Sequence, residues 1–184
     1  AEAKEYIFTN CAPRDNIKLQ YMSVEFIKTN HSIADSVAIA IHTPLGVIIH
    51  TGDFKVDYTP IDGEIIDLAR FAELGRKGVL LLLADSTNVE RPGYTMSEST
   101  VGVTFENIFS QTTGRILVAT FASNIHRLQQ IITAAHKYGR KVAVSGRSME
   151  NNVNVALELG YLELEKDTLI SVDAINKYPP EKSV

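Results

Sequence analysis

The chain is poor in cysteine: Cys11 is the one thiol among 184 residues. A lone thiol forms no intramolecular disulfide, and no cysteine-based zinc site can be built from it. This fits a reducing, cytoplasmic location. Long apolar runs are also missing. The longest, Val37–Ile41 and Gly78–Ala84, fall far short of the ~20 residues that cross a bilayer as a helix, so no membrane partner is expected. No basic segment followed by an apolar stretch opens the chain, and no secretory leader is read there. The first residue is Ala1 rather than Met, so the natural N-terminus is expected upstream. There is neither an internal repeat nor a low-complexity tract. With 45% hydrophobic and 22% charged residues, the composition is that of an ordinary globular protein. Intrinsic disorder, collagen and a coiled coil are excluded.

Acidic residues are absent from one long stretch. Between Gln111 and Ser148 there is no Asp or Glu, while Arg115, Arg127, Lys137, Arg140, Lys141 and Arg147 give the stretch +6. The net charge of -4 therefore leaves -10 on the rest. A basic block inside an acidic protein points to a local anionic partner, or else to a cationic face whose counter-charges arrive on folding.

The first ninety residues read as strands with one helix. Ser23–Lys28 alternates polar and apolar residues, as a half-buried strand does. Val37–His42 and Val47–His50, separated by Thr43-Pro44-Leu45-Gly46, read as a hairpin. Asp62 is the expected cap of a helix carrying Ile65, Leu68, Ala69 and Ala72, with Gly75 just past its end. Val79–Leu83 is continuously apolar, the pattern of a strand buried on both faces. Asn88–Tyr94 reads as a linker. The domains expected are therefore 1–92 and 93–184. In the second, Thr95-x-x-Glu98 is a capping-box pattern opening a helix with Val101, Phe105 and Ile108 on one side. Two strand-turn-helix units follow: Arg115–Phe121 with a helix capped by Ser123, and Lys141–Ser145 with a helix capped by Ser148. A last strand is expected at Thr168–Val172. Strand-helix-strand order with short loops implies parallel pairing.

In a parallel sheet, ligands bind at the edge formed by the C-terminal ends of the strands. Two strands deliver similar chemistry there: Phe121-Ala122-Ser123-Asn124-Ile125-His126-Arg127 and Ser145-Gly146-Arg147-Ser148. Each sets a hydroxyl at a helix N-terminus, where free N–H groups and the dipole favour an anion. Each adds an arginine whose fork suits phosphate oxygens. Ser is also a common cap with no ligand at all. For metals, His31 and Asp53 stand just past strand ends, where rigid strands could hold them as ligands. By spacing alone, a surface or structural histidine and a turn aspartate are the more usual readings. A catalytic zinc usually takes three protein ligands, and the chain offers two persuasive ones.

Five segments form an ordered series: Thr29-Asn30-His31-Ser32-Ile33-Ala34-Asp35-Ser36, Thr51-Gly52-Asp53-Phe54-Lys55, Asp85-Ser86-Thr87-Asn88, Phe121 to Arg127, and Gly146-Arg147-Ser148-Met149-Glu150. Together they resemble bacterial ribonuclease J, from about residue 22 to the end. The resemblance implies an α/β fold: the C-terminal part of a metallo-β-lactamase αββα domain, then part of a parallel-sheet β-CASP domain. It implies His31 as a ligand of one zinc and Asp53 as the carboxylate bridging two. Asp85 matches the first β-CASP motif, an acidic residue expected to orient a later histidine. Ser123, Asn124, Arg127, Arg147 and Ser148 fall in the segments that resemble an RNA-phosphate pocket. The implied activity is zinc-dependent RNA cleavage, both internal and 5′–3′ from a 5′-monophosphate end, in RNA maturation and decay. The implied partners are RNA and a second subunit, identical or paralogous.

The family's His-x-His-x-Asp-His motif is expected before residue 1, and its later histidines after Val184. An internal fragment, inactive alone, is the resulting expectation. Two other readings are carried. One is a non-catalytic RNA-binding or assembly subunit of the same family. The other is a metallo-β-lactamase-fold hydrolase of a small ester or thioester, against which the basic block argues.

Overall fold

A computed structural model describes residues 9–184; the first residues, on which the absence of a leader is read, lie outside it. The chain forms two compact units. The first comprises residues up to Asn30 with 35–56 and 65–92; the second comprises 31–34, 57–64 and 93–184. No helix among the described residues is long and apolar enough to cross a membrane.

The first unit is a five-stranded sheet in the order β1 (Asn16–Lys18), β2 (Ser23–Lys28), β3 (Val37–Thr43), β4 (Gly46–His50), β5 (Val79–Leu83). The first four pair antiparallel, and β5 pairs parallel to β4. The expected hairpin is β3–β4, with Thr43 opposite Gly46. Gly46 has a φ of 143°, open to glycine and strained for other residues. Alternation sets the faces. Ala38 pairs with Ile27, and Ala40 with Glu25 and Ile49. Ile27, Ala38, Ala40 and Ile49 form the core with Leu74 of α1 (Leu68–Lys77).

Two expectations for this unit are corrected. The helix is capped by Asp67, whose carboxylate accepts the Arg70 N–H at 2.9 Å, and Gly75 lies inside it. Asp62 belongs to the 57–64 segment grouped with the second unit, so it is not at the helix start. The strand β5 is not buried: Leu80 and Leu82 are 60% and 57% exposed. It stands at the end of the strand order and pairs only with β4.

The second unit packs α2 (Glu98–Gln111), α3 (Ile125–Lys137) and α4 (Arg147–Glu158) around β6 (Val142–Ala143) and β7 (Leu169–Ile170). Phe105 and Phe109 of α2, Leu128, Ile131, Ile132 and Ala135 of α3, and Val153 and Ala156 of α4 form its core. The inward face expected for α3 is the one observed. For α2, Phe109 takes the place expected of Ile108, which is 42% exposed. The strands β6 and β7 are parallel, with α4 between them in sequence. A parallel bridge joins Lys141 to Ser183 on the other side of β6. The expected strand at Arg115–Phe121 is extended without a ladder; its Ile116 N–H donates to Ser183 at 3.3 Å. Two 3-10 turns, Val172–Lys177 and Pro180–Lys182, precede Val184.

Candidate functional site

In the first unit, the ends of β4 and β5 are tied to each other. Thr51 donates its N–H to the Leu83 carbonyl at 3.0 Å, and its hydroxyl accepts the Asp85 N–H at 3.0 Å. The Asp85 carboxylate then works in two directions. Oδ1 accepts from the Thr87 N–H and hydroxyl at 2.9 and 2.6 Å; Oδ2 accepts from the Phe54 N–H at 3.4 Å. Asp85 thus pins the turn that carries Asp53, which is exposed. Gly52 permits that turn. Its φ is 60°, and a Cβ there would stand 3.2 Å from the Val37 carbonyl. A second tie runs through Asn30, whose carbonyl accepts the Lys55 N–H at 2.8 Å and whose side chain accepts the buried Ile66 N–H at 2.9 Å.

His31 is half-buried, with Nε2 at 3.4 Å from the Ser32 hydroxyl, and belongs to the second unit; Asp53 and Asp85 belong to the first. Among the described residues, no group of three or more His, Cys, Asp and Glu side chains comes together to hold a metal. The residues present therefore do not by themselves fit a zinc centre.

In the second unit, the two helix tips differ from expectation. The cap of α3 is Asn124, not Ser123. It is buried, and its Oδ1 accepts the Arg127 N–H at 3.1 Å. Ser123 is left exposed on the turn before it. The cap of α4 is Gly146, with φ 106° and no side-chain bond, and Ser148 lies inside the helix. Gly146 opens the helix without a side chain of its own, leaving Arg147 and Ser148 exposed beside the first N–H groups.

The basic block is largely engaged by the fold. Arg127 Nε and Nη2 bind both oxygens of Glu98 at 2.8 and 3.0 Å. Lys137 meets Glu106 at 2.5 Å, and Tyr138 hydroxyl reaches the same carboxylate at 2.9 Å. Lys137 first, then Tyr138, hold the Glu106 carboxyl below its ordinary range, and Glu106 raises Lys137 in return. Arg140 is buried and donates to the Gly114 and Thr112 carbonyls. Arg115 donates to the Ser183 hydroxyl and Lys141 to the Asp167 carbonyl. Among the described residues, Arg147 is the cation of the block without a partner. Of the expected phosphate contacts, Arg127 already has its Nε/Nη2 edge filled, and Arg147 does not.

A cavity of about 240 Å³ lies beside the α3 tip, lined by Ile33, Ser123, Asn152, Val155, Leu159 and Tyr161 among others; it reaches Ser123 but neither arginine. Residues that sequence reasoning missed are Thr51, Asn152, Glu98 and the buried Asp57. The Asp57 carboxylate accepts the Thr59 N–H at 3.0 Å and the Glu98 N–H at 3.2 Å. For Glu98, the capping-box pattern was the available signal, but its side chain serves Arg127 instead.

The parallel pair β6–β7, with the α4 tip at the end of β6, lies within the span of a family model. Residues 113–184 fit the model described as "Ribonuclease J, beta-CASP domain". The likeness extends upstream. The chain is 49% identical to Ribonuclease J of Synechocystis over 94% of its length, 48% to Ribonuclease J of Thermus thermophilus over 91%, and 44% to Ribonuclease J2 of Bacillus subtilis over 89%. It spans 27% of the first of these relatives and 29% of the other two. The fold is also that of a solved structure of a protein of unknown function from Enterococcus faecalis V583. That match has a TM-score of 0.68 and 22% identity, and covers 99% of this chain and 44% of that one. Residues 113–184 are thus a segment of the ribonuclease J β-CASP domain, and most of the chain is similar to a part of ribonuclease J proteins.

Proposed function

We propose that these residues are part of a longer ribonuclease that hydrolyses RNA internally and from a 5′-monophosphate end, in the cytoplasm. The observation that carries this reading is the near-half identity to ribonuclease J proteins along almost the whole chain. In this reading, residues 1–92 belong to a metallo-β-lactamase domain and 93–184 to a β-CASP domain. Zinc would supply Lewis-acid chemistry at the phosphodiester, with His31 and Asp53 among its ligands. Two ligands are too few for such a centre, so the rest would come from beyond these 184 residues, and the isolated chain would not cut RNA. The full protein would act as an oligomer or a paralogue complex.

The work assigned to this chain is substrate holding and loop support. Arg147, Ser148 and the first N–H groups of α4 offer a phosphate both charge and donors. Ser123 offers a further hydroxyl at the α3 tip. Asp85 keeps the turn of Asp53 in place.

Two measurements test the reading. RNA affinity falls steeply with salt, because phosphate contacts release counterions. Arg147→Ala with Ser148→Ala in the full-length protein weakens the preference for 5′-monophosphorylated over 5′-hydroxyl RNA. An unchanged preference refutes the pocket; salt-independent binding refutes the RNA reading.

A further inference from the structure

The carboxylate of Glu98 occupies the edge of Arg127 that an RNA phosphate would use. Carboxylate and phosphate fit the same two parallel donors of a guanidinium. Here both Nε and Nη2 are taken, at 2.8 and 3.0 Å. The pair is within reach of a ligand: the Arg127 side chain is 31% exposed and that of Glu98 is 15%.

Three features hold Glu98 where it is. It is the first residue of α2, where the helix dipole favours a negative charge. Its backbone N–H is bound by the buried Asp57 carboxylate. The preceding cap, Ser97, is held by Thr59 through its hydroxyl and carbonyl. Arg127 is fixed as well, by its N–H on Asn124, the residue that caps α3. The chain Asp57–Glu98–Arg127–Asn124 therefore ends at the turn bearing Ser123.

We propose that Glu98 is an internal competitor of RNA phosphate for Arg127, and so sets how much of the α3 tip's charge a bound RNA can use. The inference rests on RNA being the ligand. In the resting protein the tip presents the exposed Ser123 beside a guanidinium whose charge Glu98 balances. An RNA phosphate gains the Nε/Nη2 edge of Arg127 only by displacing a carboxylate that its own helix favours. Glu98 thereby weakens general binding of phosphodiester backbone at this tip, while Arg147 at the α4 tip stays available.

The test is RNA binding by the full-length protein, in EDTA to suppress cleavage, with a fluorescent single-stranded oligoribonucleotide bearing a 5′-monophosphate. Wild type and Glu98→Gln are titrated across salt concentrations. One additional phosphate contact makes the log–log salt slope steeper by about 0.7. Affinity at low salt then rises roughly fivefold to tenfold, as a new charge-assisted contact allows. Glu98→Asp, too short to span the fork from the same backbone position, shifts both readouts the same way by less. Adding Arg127→Gln to Glu98→Gln returns the slope to the wild-type value. Circular dichroism confirms that each variant is folded. A Glu98→Gln protein with wild-type slope and affinity, or with weaker binding, overturns the competitor role while leaving the RNA reading intact. Wild-type binding that ignores salt overturns the RNA reading, and this inference with it.

Discussion

Replacing Arg70 by Met tests how the first unit is held together. Glu25 lies on the α1 face of the sheet, opposite Ala40, and is 8% exposed. Arg70 of α1 gives it two bonds, Nε to Oε1 at 2.6 Å and Nη2 to Oε2 at 2.9 Å; His42 Nε2 lies 2.7 Å from Oε2. Glu73 takes the remaining arm of Arg70 at 2.6 Å. Removing one member of a buried pair costs about 3–5 kcal/mol, because the other charge stays buried. His42 remains beside Glu25, and Arg70 keeps 27% exposure, so the cost falls to or below the bottom of that range, about 2–3 kcal/mol. Met retains most of the apolar packing of the arginine stem. The Arg70 bonds hold the Glu25 carboxyl below its ordinary 4.5; burial opposes them and His42 assists. A depressed folded-state pKa gives stability that is present above the unfolded value and is lost as pH falls through the folded one. The gap between wild type and Arg70→Met is therefore full at pH 7. It closes below about pH 4.5, as Glu25 takes up its proton. Urea melts followed by far-ultraviolet circular dichroism, repeated from pH 7 to pH 3, measure this gap. Equal stability at pH 7, or a gap that stays constant down to pH 3, would refute the reasoning.

Two further predictions concern the helix tip and the sheet edge. Asn124→Ala removes the side-chain cap of α3 and lowers stability by about 1 kcal/mol, read in the same urea melts; Ser123→Ala, which removes no cap bond, leaves stability unchanged. Leu82→Lys on β5 places a charge on a 57% exposed edge-strand leucine. Such charges block edge-to-edge pairing, so concentration-dependent light scattering of the purified chain falls while the circular dichroism spectrum is retained.

Much of the local structure was legible in the sequence, because period and turn chemistry are local. The strand β2, the β3–β4 hairpin and the buried stripe of α3 follow from alternation, from Pro44 and Gly46, and from the spacing of Ile125, Leu128, Ile132 and Ala135. Helix starts were less legible. Asp62, Thr95, Ser123 and Ser148 are all good capping residues, yet Asp67, Ser97, Asn124 and Gly146 hold the caps. Each true cap lies within five residues of the expected one. Ser97 is selected where its hydroxyl also meets Thr59, 38 residues away. The apolar run of β5 reads as a strand covered on both faces, but exposure depends on what packs against it, which a run of leucines does not encode.

The acid-free block shows the same limit for the site. Along the sequence, six cations stand without a counter-charge; in space, α2 supplies two. Glu98 reaches Arg127 across 29 residues and Glu106 reaches Lys137 across 31. Both pairs advance in the same direction along the two helices, so α2 and α3 run parallel, and the extended 112–124 stretch carries the chain back between them. That arrangement sets both N-termini at one end, which is why a glutamate opening α2 can meet an arginine in the first turn of α3. Charge in this block therefore cannot be counted as binding capacity residue by residue. Arg140 supports carbonyls at the start of the extended stretch, Arg127 joins two helix tips, and Arg147, opening α4 behind a glycine cap, is the cation left facing solvent. A sequence segment rich in arginine thus resolves into structural cations and one placed for an anion, and the division is made by where α2 lies.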